Sequence, residues 1–384
     1  MNDKTFTIQE LLDLEDIEEN ENRYFQKYGY FPFNVSTWNP TEFFSHAYLQ
    51  NRIQLFPFDY IPYIYSYELD QAQICITKGN LGGNNNFGCL VTNTGTSAIS
   101  LVTSVLNAIG IKRILVICPV YYASLYNLLQ KGIEPVKLYI ERNNYSYQLP
   151  QAKIVDMIND IDAIWLTNPI YNTGIYFSQD DIDFLQTKIP SRVMVICDDC
   201  FSSGGHEMVR NFTEYPNFIS IHDPLKQIIV NGLKFACILY PKNYEPIFER
   251  WSDIICGSLS YSTVQSMLFF NSNDFTQMHS QLHQHFNEIN KKLYDILECF
   301  PSISIDKQIY DSHMHMCIVP NLPYDFLQDR KQMYSFMTDT GASLIPGNRF
   351  HFPESFGFSF RINMGRESHE FWDALIRIFQ YITS

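Results

Sequence analysis

The sequence predicts an α/β fold: a mostly parallel central sheet sandwiched by helices, a smaller α+β C-terminal domain, and an N-terminal arm. Three observations predict it. Between about residues 89 and 240, short near-continuous apolar runs alternate with helix-like segments, and such runs are strands buried on both faces of a parallel sheet. After about 245 the alternation gives way to a long polar helix, short strands and a terminal helix. Between about 31 and 70 the chain is rich in Pro, Tyr and Phe and has little period. At about 150 residues per domain, 384 residues allow two or three domains. The expected division is 1–60 for the N-terminal helix and arm, 61–245 for the large α/β domain, and 246–384 for an interdomain helix and small α+β domain.

Residues 5–30 read as an acidic amphipathic helix, with Leu11, Leu12, Leu14 and Ile17 as the apolar positions and Glu10, Asp13, Glu15, Asp16, Glu18 and Glu19 toward water. Residues 31–70 read as an extended arm or ordered loop. Gly79 to Gly88 is a turn-rich break. Strands follow at 89–92, 113–118, 136–140, 163–167, 193–197, 218–222 and 234–240. Helices intervene at 96–106, 121–131, 154–161 and 179–188. A polar helix spans about 274–300, short strands lie near 302–320, and a helix falls near 325–340. A Pro-Gly turn, a strand at 356–364 and a helix at 367–382 complete the chain. No internal repeat is visible.

Composition narrows the function. Lys and Arg total 27 against 41 Asp and Glu, a formal charge of −14. Such a chain lacks the electrostatic footprint of a general nucleic-acid binder and would not adsorb to an anionic membrane. The first residues, Met1-Asn2-Asp3-Lys4, turn acidic with no basic region and apolar stretch after it, so no secretory signal is expected. No apolar run approaches the roughly 20 residues needed to span a bilayer. The nine cysteines are scattered and mostly inside apolar runs, which suits buried thiols in a reducing compartment. The expectation is a cytoplasmic protein.

In an open parallel sheet, ligands bind beyond the carboxyl ends of the strands, so the residues after each strand matter most. Asn93-Thr94-Gly95-Thr96-Ser97 opens a helix, where free N–H groups favour an anion but hydroxyls also serve simply as caps. Pro119-Val120-Tyr121-Tyr122 offers an aromatic for a planar ring, or a core residue. Asn168-Pro169 at a strand end is by default a turn. Asp198 and Asp199 are harder to explain structurally, since a buried carboxylate costs several kcal/mol unless paired. Lys226 and, soon after it, Lys234 follow the strand at 218–222. Each is either a surface lysine or, at an interior strand end, a Schiff-base lysine.

Taken together, in this order and spacing, these residues resemble the aspartate-aminotransferase superfamily of pyridoxal-phosphate enzymes (fold type I), in its class I/II branch. The likeness runs from about residue 60 to the C-terminus. It includes Leu344-Ile345-Pro346-Gly347-Asn348-Arg349-Phe350 and Phe358-Ser359-Phe360-Arg361-Ile362-Asn363-Met364-Gly365, similar to the family's Pro-Gly turn and carboxylate-binding Arg strand. The resemblance implies a pyridoxal 5′-phosphate enzyme acting on an amino acid, most simply an aminotransferase: Schiff-base exchange at Lys226, α-proton abstraction, then reprotonation at C4′. It implies that Asp198 pairs with the pyridine N–H and that Asn168 reaches the phenolic oxygen. Tyr121 would stack on the ring, and Thr94, Gly95, Thr96 and Lys234 would hold the phosphate. Arg361 would clamp the substrate carboxylate, with Asn168 and Trp38 also at the substrate. Tyr65 or Tyr67 would reach a neighbouring subunit's phosphate, so a homodimer is implied. A keto acid would accept the amino group, and no metal is implied.

Four departures stand out. Phe201 lies where the family usually has Tyr, Asp223 where Ser usually touches the phosphate, Lys234 where Arg is usual, and Asn172 where the turn usually has Pro. Asp223 beside a phosphate is repulsive unless Lys234 or His222 neutralises it. These changes keep two alternatives open: a lyase, cyclase or oxidase of a biosynthetic pathway, and a non-catalytic scaffold. Joint retention of Lys226, Asp198, Asn168 and Arg361 argues against the scaffold. Cys197-x-x-Cys200 reads as buried thiols, because no second pair has zinc spacing. His279, His283 and His285 read as a solvated helix face, and Gly79 to Gly88 lacks the lysine of a Walker loop.

Overall fold

The computed structural model describes residues 15–49, 64–143, 146–202, 204–305 and 312–384. The chain begins with α1 (Glu15–Tyr28), the two-residue strand β1 (Phe33–Asn34) and the short α2 (Glu42–Phe44). The large unit follows: α3 (Gln71–Asn80), β2 (Phe87–Thr92), α4 (Gly95–Ala108), β3 (Arg113–Cys118), α5 (Tyr122–Gln130), β4 (Glu134–Tyr139), β5 (Glu141–Asn143), β6 (Ser146–Gln148), α6 (Gln151–Met157), β7 (Ala163–Thr167), α7 (Gln179–Lys188), β8 (Met194–Asp198), β9 (Phe218–His222) and β10 (Ala236–Pro241). Then come α8 (Glu245–Ile255), α9 (Tyr261–Phe270), α10 (Asn273–Leu297), β11 (Met314–Val319), α11 (Arg330–Thr340), β12 (Ala342–Ser343), β13 (Phe358–Asn363) and α12 (His369–Thr383).

The expected α/β architecture is present. Seven strands form one sheet in the order β2-β10-β9-β8-β7-β3-β4. Every neighbouring pair is parallel except the two made by β10. Side chains alternate between faces along a strand. In β7, Ile164 and Leu166 join one apolar cluster while Trp165 joins the other, with α4 and α8. All three are fully buried. Two covered faces explain why the strands read as unbroken apolar runs rather than alternating ones.

Beyond the sheet, β11 and β13 pair antiparallel, and β1 adds in parallel to β12. The N-terminal segment is therefore tied to the C-terminal part of the chain. Helix α1 packs on α11, burying Ile17 and Tyr24, and its acids make ion pairs: Glu19 with Arg330 at 2.6 Å and Asp16 with Arg349 at 3.0 Å. The Glu10, Leu11, Leu12, Asp13 and Leu14 positions and the stretch 50–63 of the expected arm lie outside the described residues. Helix α3 was not expected. Its apolar period is weak, and its start is set by Asp70, whose carboxylate accepts from the Ala72 N–H at 2.9 Å. The expected domain boundary at 245 falls at the start of α8, which packs on α4 of the large unit.

A cleft at the carboxyl edge of the sheet

Lys226, Asp198, Thr94, Gly95, Thr96, Tyr121, Lys234 and Trp38 all line one cleft, together with Tyr171, Cys200, Phe201 and Asp223. The topology explains the convergence, because parallel strands deliver their carboxyl ends to one edge of the sheet. Asp198 ends β8 and Thr94 caps α4 just beyond β2. Lys226 lies in a short 3-10 turn, Pro224–Ile228, directly after β9. That turn closes on Ile229, whose φ of 57° is left-handed. A β-branched residue adopts that conformation only where its surroundings enforce it.

Lys226 Nζ sits 3.6 Å from Asp223 Oδ2 and 4.9 Å from the centroid of the Phe201 ring. Burial opposes its charge, yet Asp223, Cys200 and Asp198 hold the ammonium above its ordinary range. Asp198 is buried, and its Oδ1 accepts from the Cys200 N–H at 3.3 Å. Burial pushes its carboxyl up and Lys226 draws it back down. Asp223 follows the same pattern: burial raises it, while Lys226 and Lys234 lower it. His222 takes no part in neutralising Asp223. It is buried against Ser220 Oγ at 2.7 Å, and desolvation, with Arg210 nearby, lowers it to about 3.

At the head of α4, the Thr94 hydroxyl accepts from the Ser97 N–H at 3.0 Å, and the Thr94 N–H donates to Ser97 Oγ at 3.1 Å. This reciprocal cap commits Thr94 and Ser97 to each other. The N–H groups of Gly95 and Thr96 precede the first intrahelical hydrogen bonds and remain the helix's anion donors. A Cβ on Gly95 would lie 3.2 Å from Asp223 Oδ2, a tight contact that needs the carboxylate to shift by a few tenths of an ångström. Tyr121 stands over the same end of the cleft, within hydrogen-bonding reach of Thr96, its phenol pushed up to about 12 chiefly by burial.

Arg361 lies fully buried on β13. Its guanidinium stacks over Trp38 at 4.3 Å and over Phe350 at 4.9 Å. Trp38 in turn stacks on Phe201, with centroids 5.1 Å apart and planes 11° apart. Arg361 Nε donates to the Ser36 carbonyl at 2.9 Å and Nη1 to Asn172 Oδ1 at 3.3 Å. Among the described residues no carboxylate pairs with it. Burial lowers it to about 10. A buried cation without a counter-ion is costly unless an anionic ligand completes it.

Arg361 and Asn168 do not line this cleft themselves; Arg361 lines the adjoining cavity with Trp38, Tyr121 and Tyr171. The Asn168 side-chain amide donates to Asp199 Oδ1 at 2.9 Å, Ser202 Oγ at 3.0 Å and the His206 carbonyl at 3.0 Å, so its donors are committed inside the fold. Its partner Asp199 is pushed up to about 7, chiefly by burial. Tyr65 stacks on Tyr67, with centroids 5.4 Å apart, and neither lines the cleft. The sequence reading missed Tyr171, three positions after Asn168. Its buried hydroxyl is within hydrogen-bonding reach of Arg361 and faces Tyr121, Lys226 and Asp198. Burial raises its phenol, so the hydroxyl keeps its proton. The one signal for it was position in the same strand-end loop.

The nine cysteines are all free, and Cys197 and Cys200 are both buried. His285 contacts Glu367 at 3.1 Å, and His315 is buried against Asn290 at 2.9 Å. Among the described residues no three His, Cys, Asp or Glu side chains are grouped to hold a metal ion. None of their helices is long and apolar enough to cross a membrane.

No family profile matches the chain, and no curated protein does. Solved structures do. The chain is similar to N-succinyldiaminopimelate aminotransferase from Mycobacterium tuberculosis, with a TM-score of 0.74 at 15% identity over 96% of both chains. It is similar to alanine aminotransferase from Pyrococcus furiosus, with a TM-score of 0.72 at 15% identity over 98% of this chain and 99% of the other. It is also similar to the PLP-bound C-S lyase of Staphylococcus hominis, with a TM-score of 0.70 at 15% identity over 100% and 98%. The chain has the fold type I architecture that these proteins share.

Proposed function

We propose that this chain is a pyridoxal-phosphate-dependent aminotransferase, which takes the amino group of an amino acid and passes it to a keto acid. One observation carries the reading. Lys226, Asp198 and the head of α4 share a cleft, and a buried arginine without a carboxylate partner lies beside it, across Trp38. The residues fit the cofactor. Lys226 would hold it through its amine, Asp198 would face the ring nitrogen, and Tyr121 would cover the ring. Gly95, Thr96 and Lys234 would hold its phosphate. When bound, pyridoxal phosphate supplies an electron-withdrawing pyridinium ring.

The chain's own groups account for the remaining work. Arg361 would bind the substrate carboxylate with the guanidinium N–H groups that Ser36 and Asn172 leave over. Trp38 and Phe350 fix the plane of that guanidinium. Tyr171 lies within reach of the Arg361 guanidinium and keeps its O–H proton, and we assign it the role first expected of Asn168. Lys226 Nζ is the base placed to move the substrate α-proton, once Asp223 no longer holds it as an ammonium.

Elimination from the same site is the second reading. The observation favouring it is Phe201, which lies under Lys226 and offers no hydroxyl where a tyrosine is usual. The exposed Tyr67 and its partner Tyr65, stacked off the cleft, support a homodimer in which they meet a second copy. The nine free thiols support a reducing cytoplasmic setting.

The test is an absorption spectrum with added pyridoxal phosphate, before and after borohydride, beside Lys226→Ala. A visible band that borohydride bleaches and the variant lacks is expected. No band at saturating cofactor would overturn the reading and favour a non-catalytic scaffold. Amino-acid-dependent conversion to pyridoxamine phosphate would separate transamination from elimination.

A further inference from the structure

We propose that Asp223 is a gate on the anion cup at the head of α4: a phosphate group occupies the cup only with a proton on the Asp223 carboxyl. The inference rests on the cofactor reading above and adds what this chain's own residues do to the charge of the ligand it takes.

Three observations carry it. First, Asp223 Oδ2 stands 3.2 Å from the position of a Cβ on Gly95, the residue whose N–H heads the helix. A carboxylate oxygen thus already faces the place where an anion would bind. Second, its ion-pair partner is Lys226, at 3.6 Å. That lysine cannot remain a simple ammonium counter-ion once its amine holds the cofactor. Third, the cup has little positive charge to spare. Lys234 contributes one charge, and the end of a helix contributes about half a charge. Subtracting one for ionised Asp223 leaves about half a unit to meet a phosphate that carries about −1.5 to −2 at neutral pH. Protonating Asp223 restores the full unit.

The charged and titratable groups facing Asp223 are few. Lys226 lies on its own turn and Lys234 on the segment before β10. Asp198 and Cys200 come from the end of β8, and Cys237 from β10. Asp198 repels it, and His222, its neighbour in sequence, is held neutral against Ser220. Burial already biases the Asp223 carboxyl toward its protonated form, so the additional proton affinity comes from the phosphate itself.

The experiment measures dissociation constants of pyridoxal phosphate and of unphosphorylated pyridoxal at pH 7 and pH 8.5. It compares wild type with Asp223→Asn and, in case that variant folds poorly, Asp223→Ser. Both vitamers share any change in Lys226, and only one carries phosphate. At pH 8.5 Asp223→Asn should tighten the phosphorylated form at least about tenfold more than pyridoxal, since close like charges repel strongly at a buried site. That advantage should shrink at pH 7. Equal effects on both vitamers, or an advantage independent of pH, would overturn the proposal while leaving the cofactor reading intact. Failure of every form to bind pyridoxal phosphate would instead remove the cofactor reading, and this inference with it.

Discussion

A single guanidinium shows how much of this site depends on individual residues. Arg361 lies between two aromatic rings, with two of its donors held by Ser36 and Asn172. Lysine keeps the charge but has neither the planar fork nor the stacking surface. Arg361→Lys should therefore raise the amino-acid KM on the order of 10- to 100-fold, since hydrogen bonds to charged groups contribute about 1.5–3 kcal/mol. The bound cofactor's absorption spectrum should stay unchanged. Steady-state kinetics beside that spectrum check the expectation. An unchanged KM would remove Arg361 from the substrate. Tyr171 and Asn168 carry the complementary lesson. Both follow one strand end, and nothing in residue type says which side chain turns into the cleft. The buried carboxylate of Asp199 decides it, by taking the Asn168 amide as a partner.

Elements place these residues through their ends. Strands β2, β3, β7, β8 and β9 all stop at one edge, and a cap or turn takes over from each. The caps are local and can be tested one at a time. Ser368 opens α12, accepting from the Phe371 N–H at 3.1 Å. Removing a serine cap costs about 1 kcal/mol. Ser368→Ala should lower the unfolding free energy by about that amount in urea titration. Cofactor affinity should not change, because no residue of α12 lines the cleft. A loss of cofactor binding would show that α12 is coupled to the cleft through the apolar cluster that both parts of the chain share. The strand periods were legible because both sheet faces are covered. Helix α3 was not, since an aspartate cap and tertiary contacts define it more than its apolar spacing does.

The whole chain brings together parts that lie far apart in sequence. The segment around Trp38 crosses β13, where the Ser36 hydroxyl donates to the Arg361 carbonyl at 2.5 Å and Asn363 donates to the Thr37 carbonyl at 2.8 Å. Asn231 holds the Trp38 carbonyl at 2.7 Å from the large unit. Segments from the sheet unit and from the C-terminal part therefore both fix the wall that separates Arg361 from Lys226. Tyr65 and Tyr67 are left outside this wall, which motivates the dimer. Light scattering should give twice the 44.9 kDa chain mass. Replacing Tyr65 and Tyr67 together by Ser should weaken cofactor binding if a second copy receives them. A monomer that binds cofactor fully would sink that assignment.

By itself the sequence determined the α/β class, the strand-end positions of Lys226, Asp198 and the Thr94-Gly95-Thr96 helix head, and the departures at Phe201 and Asp223. The class and the strand ends follow from local period and residue chemistry, whereas the two departures follow from the family resemblance that those strand-end residues carry. Only the tertiary structure decided that Tyr171 rather than Asn168 faces the cleft and that Trp38 stacks between Phe201 and Arg361. It also decided that Lys226, not His222, is the counter-ion of Asp223. Each of those outcomes is a competition for buried hydrogen-bond or ion-pair partners, and such partners are settled by packing between distant segments.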